Sequence, residues 1–220
     1  MFDLIIRNGS VIDGTGSPMF GADVAIKGNS IVAVGEITGE AIREVDASGK
    51  VVTPGFIDLH THSDNSFLID PYADSKLTQG VTLELMGNCG MSYCAPLNEN
   101  TMDELRSRTE KFDLNFNPTW TTMDGYLTAL ENSGSTINVA AQVGHGTVRR
   151  VVMGMDARNA TLEETDRMTA IVAESLDAGA LAMSTGLWSA PGSYSLADEV
   201  IAIAQAAADR GKLYSSHIRS

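Results

Sequence analysis

No apolar run in the 220 residues approaches the 18 or so that a bilayer crossing needs, so a helical membrane span is excluded. Basic residues are scarce, with 15 Lys and Arg against 28 Asp and Glu, a net charge of −13. A chain this acidic lacks the basic face that a phosphate backbone demands, which argues against a nucleic-acid partner. The opening Met-Phe-Asp-Leu-Ile-Ile-Arg has no basic leader and no long apolar core, so no secretory signal is expected. Cysteine is limited to Cys89 and Cys94, too few to staple a fold of this size. Reduced thiols and a cytoplasmic location are the expectation. What is present, 43% apolar residues, suits one substantial domain with a small appendage.

Residues 1–53 read as short strands. Leu4–Arg7, Ser10–Ile12, Ala22–Lys27, Ile31–Val34 and Glu44–Asp46 are β-rich, and Asp13-Gly14-Thr15-Gly16, Lys27-Gly28-Asn29-Ser30 and Ser48-Gly49-Lys50 supply turns between them. From residue 54 to 220 the pattern becomes strand–helix alternation, the signature of parallel βα units. Strands are expected over Phe56–His62, Val81–Met86, Ile137–Val143, Ala180–Met183 and Lys212–Ser216. Helices are expected around Tyr72–Thr78, Met102–Glu110, Met123–Asn132, from Thr161 to Asp177, and after Ser195 as its cap. Thr161 and Glu164 form a capping box, and Met168, Ile171, Val172 and Leu176 make an inward apolar stripe.

The stretch Pro54–Ser63 carries the chemistry. Phe56, Ile57 and Leu59 read as a buried strand, and His60 and His62 sit two apart at its far end, so a strand would project both imidazoles from one face. Such a pair is half of a site for Zn²⁺ or a similar ion, or else two hydrogen-bonded histidines at a strand terminus. The decapeptide Pro-Gly-Phe-Ile-Asp-Leu-His-Thr-His-Ser resembles the first-barrel-strand signature of the amidohydrolase superfamily, and within it the N-acyl-D-amino-acid deacylases. The resemblance implies an α/β fold, a metal-dependent (β/α)₈ TIM-like barrel with its first five strands in this chain, and implies that residues 1–53 are part of a small β-sandwich.

In such barrels the chemistry gathers at the C-terminal ends of the strands. The expected ends deliver His60/His62, Cys89, His145, Ser184/Thr185 and His217, a set that holds all four histidines of the chain. Cys89 lies in Gly-Asn-Cys-Gly, whose glycines permit a sharp turn and close approach; an inert buried cysteine is the competing reading. The family carries a cysteine ligand here in place of a carboxylated strand-four lysine, and Ala180-Leu181-Ala182-Met183-Ser184 has no lysine. His217 resembles the family's fifth-strand zinc histidine. The metal set implied is therefore His60, His62, Cys89 and His217, holding one tight Zn²⁺, with His60 and His62 completing the site or extending it toward a second position. His145, Ser184, Thr185 and Trp188 are the expected substrate wall, with a structural role for His145 equally open. Asp64 either orients His62 or caps the next helix. Cys94 reads as packing.

The implied reaction is zinc-dependent hydrolysis of the amide of small N-acyl-D-amino acids to a carboxylate and a D-amino acid. The alternatives are a cyclic-amide hydrolase of dihydroorotase or hydantoinase type, which needs the absent lysine, and a non-catalytic scaffold of the same fold. Five of eight strands cannot close a barrel. The sequence is therefore expected to be a piece of a longer polypeptide, completed by further chain or another copy. A sixth-strand histidine and the general-base aspartate are expected beyond Ser220.

Overall fold

The computed structural model describes residues 1–111 and 116–219 and divides into two compact units, Met1–Gly55 and Phe56–Ser220. The first unit is a single five-stranded sheet: β1 (Phe2–Val11), β2 (Phe20–Lys27), β3 (Ser30–Gly35), β4 (Ala41–Asp46) and β5 (Val51–Val52). β1 pairs antiparallel with β2, and parallel with β4 and β5. The two strands expected over residues 4–12 are one strand. Its register shifts between Ile6 and Gly9, where Asn8 takes φ 59°. Arg7 holds this bulge by binding Asp23 at 3.0 Å and Glu44 at 2.7 Å, a long-range contact no local pattern shows.

The second unit is a parallel sheet in the order β10-β9-β8-β7-β6, each strand beside its sequence neighbour. Its strands are β6 (Phe56–Asp58), β7 (Val81–Met86), β8 (Asn138–Gly144), β9 (Ala182–Gly186) and β10 (Leu213–His217). The helices are α1 (Ser66–Ile69), α2 (Asp74–Leu77), α3 (Glu99–Glu110), α4 (Met123–Ser133), α5 (His145–Met153), α6 (Leu162–Asp177) and α7 (Ala197–Ala208). Alternation along each strand sends Met86, Ala141, Val143 and Met183 outward into a core with Tyr126, Val148, Met168, Val172 and Ile203 from the helices. The opposite face carries Leu83, Ala140, Gln142, Ala182 and Ser215. This is the layering of a (β/α)₈ barrel wall.

Four local readings change. β6 stops at Asp58, so His60 and His62 stand in the loop beyond it. The expected helix at 72–78 is the single short turn α2, and α1, at Ser66–Ile69, is a further turn that the sequence pattern does not announce. His145, expected at a strand end, instead opens helix α5. Ser195 does not cap α7, whose N-cap is Leu196; its hydroxyl donates to the Gly192 carbonyl. The capping box of α6 is present in full, with Thr161 Oγ1 accepting from the Glu164 amide at 3.2 Å and Glu164 accepting from the Thr161 amide at 2.8 Å.

Candidate metal centre

A flat sheet would hold the edge strands β6 and β10 roughly 19 Å apart, four spacings of about 4.8 Å. Yet His60, just past the end of β6, and His217, the last residue of β10, reach one sulfur, so the sheet curls. Cys89 Sγ lies 3.2 Å from His60 Nε2 and 3.4 Å from His217 Nδ1. His60, His62 and Cys89 present donor atoms that all lie within 4.8 Å of one another. With Zn–S about 2.3 Å and Zn–N about 2.0–2.1 Å, a tetrahedral ion sets S···N edges near about 3.5 Å. Sulfur with imidazole nitrogens at this spacing fits zinc. Burial and the neighbouring His60 push the His62 imidazole down from its ordinary range, favouring the neutral form that ligates. Burial pushes the Cys89 thiol up, so a cation would be what draws out the thiolate.

The loop that presents Cys89 leaves no room for side chains. A Cβ on Gly87 would stand 2.2 Å from the Gln142 carbonyl oxygen, and one on Gly90 would stand 2.6 Å from the Gly186 amide nitrogen. Both glycines and Cys89 itself have positive φ, +74°, +72° and +55°. Ser184 Oγ braces the loop, accepting from the Gly90 amide at 3.0 Å and donating to the Gly87 carbonyl.

Comparison with known proteins follows the same lines. Residues 43–214 match the model described as "Amidohydrolase family". The chain belongs to the amidohydrolase family. It is 41% identical over 220 residues to the N-acyl-D-glutamate deacylase of Alcaligenes xylosoxydans xylosoxydans, covering 99% of this chain and 44% of that one. A crystal structure of D-aminoacylase superposes with TM-score 0.88 at 35% identity, covering 100% of this chain and 46% of the other. The N-acyl-D-glutamate deacylase of Bordetella bronchiseptica, solved with zinc and a phosphonate inhibitor, gives TM-score 0.87 at 39% identity, covering 100% and 45%. The chain thus spans less than half the length of these relatives.

Around the centre of this amidohydrolase chain, the expected substrate wall is mostly interior. His145 is fully buried at the first turn of α5, its Nε2 3.0 Å from Glu199 Oε1, so it faces α7 and not the open side. Ser184 and Thr185 are buried inside β9 because that strand runs to Gly186, later than the sequence suggests. Thr185 Oγ1 meets Tyr214 Oη and Ser216 Oγ, both at 2.8 Å. Trp188 is exposed and stacks on His217, with ring centroids 5.1 Å apart. It alone of the four stands at an open wall. A cleft of about 180 Å³ opens beside Cys89, lined by Met91, Leu97, Leu105, Thr147 and Pro191 among others.

Asp64 is buried, and burial raises its carboxyl to about 7. Among the described residues no hydrogen bond joins it to His62, and the N-cap of α1 is Asn65. Both expectations for Asp64 are corrected. Cys94 is fully buried, as packing requires. Sequence reasoning missed Glu199 and Arg149, a buried carboxylate and guanidinium on α7 and α5. A charged residue on the inward stripe of each helix was the available signal.

Proposed function

We propose that this chain supplies the metal-binding side of a zinc-dependent amidohydrolase that cleaves the amide of N-acyl-D-amino acids, releasing a carboxylate and a free D-amino acid. The observation that carries the reading is the Cys89 sulfur set between His60 and His217, with His62 beside them. A thiolate ligand from the loop after β7 suits a barrel whose β9, Ala-Met-Ser-Thr-Gly, has no lysine to share the site. Zinc held there would supply the Lewis acidity that activates water and polarises an acyl carbonyl at neutral pH. The chain's own residues fix the geometry: Gly87 and Gly90 let the Cys89 loop approach, Ser184 holds it, and Trp188 keeps the His217 ring in place by stacking. The similarity to deacylases of N-acyl-D-amino acids supports the substrate class.

The test uses the purified full-length protein, with the barrel complete. It should carry about one zinc per molecule, and Cys89→Ala should lose it, since thiolate bonding supplies much of such a site's affinity. Active enzyme should hydrolyse N-acetyl-D-amino acids far faster than L forms and leave hydantoin and dihydroorotate untouched. Zinc retained in Cys89→Ala, or turnover of the cyclic amides instead, would sink the reading.

A further inference from the structure

Four polar side chains lie along the concave side of the second unit and take no part in the chemistry proposed above. Thr61, Asn88 and Gln142 are buried and Ser215 is half-buried. Groups buried this way cost free energy unless they are hydrogen-bonded; the Ser215, Gln142 and Asn88 side chains bond in series, and Thr61 joins them through its backbone carbonyl and the shared Leu85 carbonyl. Ser215 Oγ donates to Gln142 Oε1 at 2.8 Å. Gln142 Nε2 donates to Asn88 Oδ1 at 2.8 Å. Asn88 Nδ2 donates to the Leu85 carbonyl at 2.8 Å and to the Thr61 carbonyl at 3.3 Å. Thr61 closes the chain, its amide and hydroxyl both donating to Leu85 O, at 3.2 and 3.1 Å.

The direction of this relay is forced. The Leu85 and Thr61 carbonyls can only accept, so Asn88 must turn its NH₂ to them and its oxygen to Gln142. Gln142 must then present its own NH₂ to Asn88, which leaves its oxygen for the Ser215 hydroxyl. Each amide has one allowed orientation. Gln142 sits on β8, the middle strand, and reaches β10 past Ala182, which adds only a methyl between them.

Every candidate ligand neighbours a member of the relay. Thr61 lies between His60 and His62, Asn88 precedes Cys89, and Ser215 is two residues before His217. β6 and β7 pair with each other, but β10 lies at the opposite edge of the sheet and shares no ladder with either, so His217 has no direct strand pairing to the segments that carry His60 and Cys89. We propose that Gln142 is the positioning residue of the metal centre, joining the β6, β7 and β10 ligand segments through Asn88, Thr61 and Ser215 so that His60, Cys89 and His217 converge before the ion arrives. The inference rests on the metal-centre reading above.

The experiment measures zinc affinity of the full-length protein by competition with a chromophoric chelator, alongside the melting of its zinc-free form. Gln142→Glu places a carboxylate oxygen against Asn88 Oδ1, and Gln142→Met removes both bonds at similar length. Both should weaken zinc roughly 10–100-fold, as losing a support behind metal ligands does. Cobalt-loaded variants should show a shifted or weakened thiolate-to-cobalt absorption. Ser215→Ala should weaken zinc by less, and Ser215→Thr should keep the parental affinity because it keeps the hydroxyl. If the Gln142 variants do not fold, the Ser215 pair decides: parental affinity in Ser215→Ala overturns the proposal. Lower melting of the zinc-free variants with unchanged zinc affinity would show a purely structural network, and also overturns it. A parent that takes up no zinc refutes the metal-centre reading and the relay with it; a parent that binds zinc no more tightly than its variants refutes the relay alone.

Discussion

Glu199 offers the sharpest test of how the second unit is held. Its carboxylate meets His145 Nε2 at 3.0 Å and Arg149 Nε at 3.5 Å, with both partners fully buried. A guanidinium does not deprotonate in a protein, so Arg149 is a buried cation, and among the described residues Glu199 is its carboxylate partner. The other contacts of the Arg149 side chain are to the Arg158 carbonyl and Met153 Sδ, neither of which carries a charge. Glu199→Ala should therefore cost about 3–5 kcal/mol, the usual result of leaving one member of a buried pair uncompensated. Against a net domain stability of roughly 5–15 kcal/mol, that is about a fifth or more. At roughly 2–4 °C per kcal/mol for a unit of this size, melting should fall by about 6–20 °C. Urea unfolding followed by tryptophan fluorescence gives the free energy, and an unchanged slope shows that the two end states are unchanged. Glu199→Gln, which keeps an acceptor without the charge, should lose about 1–3 kcal/mol. The double variant Arg149→Met/Glu199→Leu removes both charges and should recover much of the loss. A Glu199→Ala loss below about 1 kcal/mol at constant slope would refute the reasoning, since Arg149 would then be compensated without Glu199.

Two further expectations follow from the loops and caps. Gly87 and Gly211 both have positive φ, +74° and +61°, but a Cβ on Gly87 meets backbone at 2.2 Å while one on Gly211 meets nothing within 4 Å. Gly211→Ala should cost only the roughly 1–2 kcal/mol of left-handed backbone, and Gly87→Ala should cost clearly more and lower zinc content; equal losses by urea unfolding would contradict the close-approach account. At Glu164, hydrogen bonds from Arg158 and the Thr161 amide hold the carboxyl at about 2 against an ordinary 4.5. A folded value below the unfolded one stabilises above pH 4.5 and is lost as pH falls toward 2, so the advantage of the parent over Glu164→Gln should shrink across that window, and a constant gap in the urea midpoint would refute it.

Much of the architecture was legible locally. β7 occupies Val81–Met86 as its β-rich run indicates, and α6 is announced by the Thr161–Glu164 box and the stripe Met168, Val172, Leu176. These are properties of neighbours three or four residues apart, and chain stiffness and amphipathic burial suffice to set them. The clustering of His60, His62, Cys89 and His217 at strand ends is also a matter of position along the chain. Which nitrogen faces which sulfur is not, because it depends on how far the sheet curls between β6 and β10. The same holds for His145. Its position reads as a strand end, but it opens α5, where the Gly90 carbonyl, at 3.1 Å from the Thr147 amide, packs so closely that a larger first turn could not fit. Its imidazole then goes to Glu199, 54 residues away. Sequence by itself determined the order of the elements and the residue types at their ends. Tertiary structure decided which of those residues face the open site and which are spent inside, since buried polar groups take whatever partner the packing brings within hydrogen-bond reach.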